Sequence, residues 1–362
     1  MIKSRNIFTT STFTTAILAI ASVLVAFDGA LGTAIHRHWT FITLVILMLI
    51  SLGSAAWTDI RKKSYGSLLS HLGLFVVLSG GLAGAPGRVE MQLMLFKDAE
   101  EKLPLPFSLE LDDFTIDYYG DGTSPRQYTS ILTVDGNTMQ TSVNHPCRYK
   151  GYRIYQSGYD ADEGRYSILK IVRDPWLPLL AVGALLLVFA AFISLKRTWN
   201  SWKIPAAAFA MAAVFAVISV GRINFGTLAP ALRSFWFVPH LIVYMLAYAI
   251  LALSVIFGIA SLFSVKVPQE LSGRLLRTAS SLLLIGMVCG AAWAQQAWGN
   301  YWTWDAKECW AAVTWLLTLA GMHIPKKKLA LVFTVLAFLA MQVTWYGVNY
   351  LPTAGLSLHT YN

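Results

Sequence analysis

The sequence predicts a mainly α, polytopic membrane protein with about nine transmembrane helices and a small β-rich extracytoplasmic domain. Three observations predict it. The chain is 56% hydrophobic and only 13% charged, whereas soluble domains carry about a quarter charged residues. Its apolar residues gather into runs of about twenty, the length that crosses a bilayer as a helix. One polar stretch of roughly ninety residues, 86–175, interrupts those runs and alternates with a period of two.

The apolar runs fall at roughly 10–30, 40–57, 66–85, 176–195, 204–221, 238–264, 279–297, 309–324 and 329–346. A few basic residues precede the first run, and no convincing small-residue cleavage site follows it, so it reads as a retained anchor. The net charge is +9, but the lysines and arginines sit in short segments between apolar runs. That argues against nucleic acid as a partner and for cytoplasmic loops beside membrane lipid. With the N-terminus in the cytoplasm, Lys3, Arg5, Arg61, Lys62, Lys63, Lys196, Arg197, Lys203, Lys266, Arg274, Arg277, Lys326, Lys327 and Lys328 all fall inside. Only Arg37, Arg222, Arg233 and Lys307 fall in short outer segments. An odd number of spans then puts the C-terminus, residues 86–175 and the stretch "WGNYWTWDAKE" in the same outer compartment. The expected address is a bacterial cytoplasmic (inner) membrane, with these three parts periplasmic.

Within 86–175, "FSLELDDFTIDYY" alternates, shifts phase at Asp112-Asp113 and resumes, the pattern of half-buried strands around a bulge. "QYTSILTVDGN" and "GYRIYQSGYD" predict further strands, with a hairpin turn at Asp135-Gly136. The expected organisation is a three-helix membrane part over 1–85, a β-rich domain over 86–175, connecting helices over 176–225 and a final unit over 226–362. The three cysteines, Cys147, Cys289 and Cys309, fit no metal spacing and no disulfide framework. Cys147 has no partner cysteine nearby on its face, which speaks against a redox role.

Seven histidines are few enough to place singly. His240 opens the sixth apolar run and His359 lies past the ninth, both at the outer face. His71 sits in the inner half of the third run and His323 at the inner end of the eighth. Two imidazoles can hold a heme iron between them, and ionisable groups inside a membrane are functional candidates because burying them is costly. The alternative for each is a histidine bonded to a backbone carbonyl or resting at headgroup level. For His36, His38 and His145, in outer loops, that alternative is favoured.

Tryptophans at a membrane edge usually anchor helices, which accounts for Trp57, Trp176 and Trp199. It accounts poorly for Trp298, Trp302 and Trp304, packed with Gly299, Asn300 and Tyr301 into one short loop. Asp305 followed by Glu308 reads as a capping box opening the next helix. The loop thus presents aromatic surface on a helix N-terminus, suited to a flat, apolar ligand with polar edges.

W-G-x-Y-W-x-W-D-x-K-E resembles the tryptophan-rich WWD signature of the heme-handling family of cytochrome c maturation. His240 and His359 match the two outer histidines that flank the signature there, and His323 matches a membrane histidine of its CcsA (ResC) component. "HLGLFVVLSGG", with His71, and the polar segment resemble the CcsB (ResB) component. Members of the CcsA component usually carry another helix after the downstream histidine, and the CcsB polar domain is usually longer. The resemblance implies a CcsB–CcsA fusion, a system II cytochrome c synthase (heme lyase). In it His71 and His323 would take heme b as a transported substrate from the cytoplasmic side. The WWD loop, through Trp298, Gly299, Tyr301, Trp302, Trp304 and Asp305, would hold it between His240 and His359. There its vinyl groups would meet the thiols of a Cys-x-x-Cys-His segment of apocytochrome c, with thiol-reducing proteins as further partners. No residue reads as a catalytic acid or base, so positioning by Trp298, Trp302, Trp304 and Asp305 is the expected contribution. A heme exporter or chaperone, or an assembly scaffold without ligation activity, uses the same residues and stays open.

Overall fold

A computed structural model describes residues 8, 10–84, 87–97, 104–160, 165–199, 206, 210, 225–263 and 269–354. Eight long helices and seven strands are described. The helices are α1 (Ser11–Leu31), α2 (Trp39–Lys62), α3 (Tyr65–Gly84), α4 (Leu177–Thr198), α5 (Phe237–Phe263), α6 (Gln269–Trp298), α7 (Ala306–His323) and α8 (Lys327–Trp345). Seven of these are long and apolar enough to cross a membrane. The chain is therefore a multi-pass membrane protein with a small β-rich part.

Two of the nine expected spans are not among these seven. The expected span at 204–221 lies outside the described residues. The span expected at 309–324 is α7, only 18 residues long and not among the seven. It still runs from one face of the bundle to the other: Ser11 Oγ at the start of α1 donates to the His323 carbonyl at its far end. At about 1.5 Å per residue it is about 27 Å long. Its low hydropathy follows from what it buries, Glu308, Thr314 and Thr318 among them. The two threonine hydroxyls donate back to Trp310 O (2.9 Å) and Trp315 O (2.7 Å).

Small residues decide how the helices cross, as expected where lipid leaves close packing as the main source of attraction. On α3, Gly66, Gly73 and Gly80 recur every seven residues and are all buried. A Cβ on Gly73 would lie 2.9 Å from Leu187 Cγ, and one on Gly183 of α4 would lie 2.8 Å from Val77. Gly29 brings α1 onto α7, where a Cβ would sit 2.6 Å from Cys309. On α6, Gly286 and Gly290 receive the rings of Tyr244 and His240 from α5.

The polar segment folds into two antiparallel sheets, ordered β1-β7-β6-β5 and β2-β3-β4. The strands are β1 (Val89–Phe96), β2 (Leu109–Tyr118), β3 (Pro125–Val134), β4 (Asn137–Ser142), β5 (Cys147–Tyr149), β6 (Tyr152–Tyr159) and β7 (Tyr166–Arg173). Leu132, Ile154, Leu169 and Ile171, all fully buried, form its core. The expected phase shift is a register shift between Leu111 and Asp113. The expected hairpin joins β3 to β4, with Asp135 at φ 47° and Gly136 at φ 77°. Two positive φ values in succession are what a tight hairpin needs to match strand twist.

The β sheets and the aromatic loop share one face of the bundle. Gln296 of α6 donates to Asn144 O (3.0 Å), and Asn144 Nδ2 donates to Pro230 O (2.8 Å). Tyr119 adds a bond from its hydroxyl to Leu228 O (2.9 Å). Arg233 turns toward the same domain, donating to Arg126 O (3.2 Å) with its guanidinium over Tyr119. Arg222 lies outside the described residues.

Candidate functional site

The aromatic loop is held from three sides. Gly299, at φ +76°, passes so close to the β domain that a Cβ would lie 2.8 Å from the Tyr155 ring. Only glycine combines that conformation with that approach. Arg88, just before β1, donates to Gly299 O (2.9 Å) and to Asn300 Oδ1, and its guanidinium lies over the Tyr301 ring. Arg88 also pairs with Glu90 (2.8 Å), which meets Lys170 at 2.8 Å. Burial raises the Glu90 carboxyl, but Lys170 first and Arg88 with it outweigh that and hold it below its ordinary value. Burial pushes the Tyr301 phenol up, with the Asp174 carboxylate adding to the effect.

On its other side the loop turns into α7. Asp305 is the N-cap: Glu308 N–H donates to its Oδ1 at 2.8 Å. Glu308 returns the favour two residues earlier than a standard capping box, accepting from Thr303 N–H (2.6 Å) and Thr303 Oγ1 (3.1 Å). Between them Trp304 adopts φ +62°, a left-handed conformation that costs a side-chain-bearing residue about 1–2 kcal/mol. Packing must hold it there. The His36 ring stacks on Trp304 at 4.7 Å with planes 1° apart, and Phe41 meets it edge-on at 5.4 Å. The N-terminal helices thus shape the loop near the C-terminal end of the chain.

The tryptophans form two groups. Trp298 meets Trp293 at 5.3 Å, and Trp293 lies 5.9 Å from His240. Trp302 meets Trp304 edge to face, with planes 84° apart, beside His36. The buried Nε1–H groups of Trp302 and Trp310 find no acceptor among the described residues.

The four histidines on which heme was expected to depend divide as follows. His359 lies outside the described residues. His240 on α5 bonds through Nδ1 to Gly286 O at 2.9 Å. His71 on α3 bonds through Nδ1 to Asp59 Oδ2 at 2.7 Å. His323 bonds through Nδ1 to Leu319 O at 2.8 Å. A carbonyl or carboxylate only accepts, so in each case Nδ1 carries a proton, which in a neutral ring puts the lone pair on Nε2. That is the arrangement by which proteins orient metal-binding imidazoles. His38 does the reverse: its Nδ1 accepts from Thr40 N–H (3.4 Å) as the N-cap of α2, a structural role.

His71 and His323 line one cavity of about 560 Å³, bounded by α1, α2, α3, α4, α6 and α7. That volume lies within the range of about 300–1,000 Å³ typical of small-molecule sites. It lies toward the face opposite the β domain, beside the start of α1. Asp59 and His71 remain partly accessible there, at 13% and 29% of their side-chain surfaces.

Three residues of this architecture escaped sequence reasoning. His36 reads from sequence as a loop histidine bonded to a backbone carbonyl or resting at headgroup level, yet its Nδ1 lies 2.5 Å from Asp28 Oδ2. Asp28 is 4% exposed and also accepts from Ile35 N–H (3.1 Å). Asp28 stands inside an otherwise apolar run, and that was the signal available. Arg88 carried none.

Comparison with known proteins agrees with this geometry. A family model described as cytochrome C assembly protein matches residues 176–355, and one described as ResB-like matches residues 61–165. The chain is similar to the "Cytochrome c biogenesis protein CcsA" of Pyropia yezoensis, at 30% identity over 224 residues, covering 46% of this chain and 69% of that protein. The protein of the same name from Porphyra purpurea gives the same identity and coverage. That of Prochlorococcus marinus (strain AS9601) is 33% identical over 177 residues, covering 37% of this chain and 56% of its own length. The matched helices, the aromatic loop and the ResB-like front together make this chain a member of the cytochrome c assembly family, a ResB–CcsA fusion of the system II type that serves cytochrome c biogenesis.

Proposed function

We propose that the chain carries heme b, as substrate, from the cytoplasmic side to its aromatic loop and there joins it to apocytochrome c as a holocytochrome c synthase. The observation that carries this reading is the shared cavity: His71 and His323, distant in sequence, line one hollow of about 560 Å³. Asp59 and Leu319 O hold the Nδ1 proton of each, so the neutral ring offers Nε2 to a metal. At the other face, His240 is oriented in the same way by Gly286 O. The last described segment packs beside the helix that follows the aromatic loop: Thr353 Oγ1 donates to Gly29 O at 2.8 Å, and Gly29 lies against Cys309. The unsatisfied Trp302 and Trp310 N–H groups offer donors to the polar edge of a flat ligand.

In the ligation each cysteine S–H adds across one vinyl C=C. A C–S bond forms, the thiol proton goes to the neighbouring carbon, and nothing leaves. No oxidant is needed, provided the thiols arrive reduced, a task for periplasmic thiol-reducing partners. The protein's part is to orient the ring and exclude water. This reading sets the N-terminus in the cytoplasm of a bacterial inner membrane and the β domain in the periplasm.

The test is an absorbance spectrum of detergent-purified protein beside co-expression with an apocytochrome c in a host lacking its own maturation system. His240→Ala and His359→Ala should diminish the bis-histidine bands and covalent cytochrome, whereas His145→Ala should leave both unchanged. Heme bands without covalent cytochrome from the wild type would reduce the function to heme delivery.

A further inference from the structure

A second hollow, of about 440 Å³, opens beside the histidine-lined cavity and shares Ser67, Ser70, Ala190, Ser194 and Arg277 with it. Arg197 at the end of α4 and Arg274 and Arg277 in the first turns of α6 all line it. No aspartate or glutamate lines it, and no ion pair among the described residues involves the three guanidinium groups. Glu270, one helical turn before Arg274, is exposed and forms no such pair.

Basic residues on this face satisfy the positive-inside tendency wherever they stand. That tendency does not require them to converge on one hollow. Here the packing aims one of them: Gly66 of α3 lies so close to Arg197 that a Cβ would meet Nη1 at 2.8 Å and Cζ at 3.3 Å. Like charges gathered without a counter-ion repel one another, a cost relieved when an anion binds. Guanidinium groups suit carboxylates because their forked donors match two oxygens.

We propose that Arg197, Arg274 and Arg277 form a carboxylate receptor at the mouth of the histidine cavity, taking the two propionates of a porphyrin whose ring lies between His71 and His323. The inference rests on the reading of that cavity as a heme site. It adds the ring's orientation, carboxylates toward the arginine-rich face and vinyl edge toward the aromatic loop. It also adds a selectivity: porphyrins lacking free carboxylates are poor substrates.

The experiment titrates detergent-purified full-length protein, in a His240→Ala background so that the Soret band reports the inner cavity, with hemin and with its dimethyl ester. Hemin should bind at least about tenfold more tightly, the order expected from one charge-assisted contact. The triple variant Arg197→Gln, Arg274→Gln, Arg277→Gln should close the gap to within about twofold through weaker hemin binding, and the triple Lys variant should reopen part of it. Adding His71→Ala should weaken hemin and ester alike. Equal binding of hemin and ester by the arginine-bearing protein overturns the receptor while leaving the histidine site intact. If the glutamine variant loses co-purifying phosphatidylglycerol yet keeps the hemin preference, the arginines hold lipid headgroups and the proposal is wrong. If neither porphyrin produces a Soret shift, the cavity reading fails and the receptor falls with it.

Discussion

The two ends of the helix bundle treat their imidazoles differently. At the arginine-rich end, His71 and His323 border open space, a cavity of about 560 Å³ between six helices. At the β-domain end, His240 is pressed into Gly290, where a Cβ would lie 2.7 Å from its Cε1, and His36 is stacked flat on Trp304. One end has a chamber ready for a flat molecule. The other, among the described residues, has a dense aromatic and hydrogen-bonded layer. For the proposed transfer, the contrast puts rearrangement at the aromatic loop, whose strained Trp304 backbone, and Trp302 Nε1–H without an acceptor among the described residues, mark it as held, not relaxed.

That contrast can be broken most forcefully through Arg88, which fastens the loop to the β domain. Arg88→Ala strips partners from Gly299 O, Asn300 and Glu90 together. It should cost about 2–3 kcal/mol, the scale of charge-assisted bonds. The expected outcome is a lower melting temperature and faster proteolysis within 298–305, with hemin binding at the inner cavity unchanged. An unaltered loop would mean that His36 and the α7 cap suffice. Next comes Asp59→Asn at the opposite end. Loss of an orienting partner typically costs about ten- to a hundredfold in affinity for the bound metal group. Hemin titration should show that loss without any change in loop proteolysis; equal binding would make Asp59 dispensable and the shared Nδ1 pattern coincidental.

The smallest effect sharpens the comparison by isolating the β domain. Lys150 first, then the Ser108 backbone and the Tyr149 hydroxyl, hold the Asp135 carboxyl at about 2, below its ordinary 3.8. A carboxyl lowered by folding stabilises the fold above its unfolded value, and the benefit drains away as pH falls from about 4 to about 2. Melting temperatures of wild type and Asp135→Asn, compared from about pH 5 downward, should converge across that window. A gap independent of pH would remove the carboxylate from the account.

Much of this was legible in one dimension. Apolar run length located seven of the membrane helices, period-two alternation located the strands, and Asp135-Gly136 announced its hairpin. The helix ends were less legible, because α6 begins at Gln269, ten residues before the apolar run does, and α2 continues to Lys62. Polar residues extend a helix past the bilayer without lengthening its hydrophobic signature. At α7 the apolar run located a helix whose composition falls short of the other seven, and packing against α1 substitutes for apolar character. The partners of the loop histidines were not legible: His36 and His38 sit two residues apart, yet one is locked to Asp28 and the other caps α2.

By itself, the sequence determined which segments cross the membrane, which alternate as strands and which residue types stand at each face, because those follow from local periodicity and length. Only the tertiary structure decided which oxygen each imidazole bonds to, that His71 shares a cavity with His323, and that Arg88 clasps a loop 211 residues away. Hydrogen bonds and cavities depend on ångström-scale approach between helices remote in the chain. Here glycines at the crossings set that approach, and no local pattern encodes it.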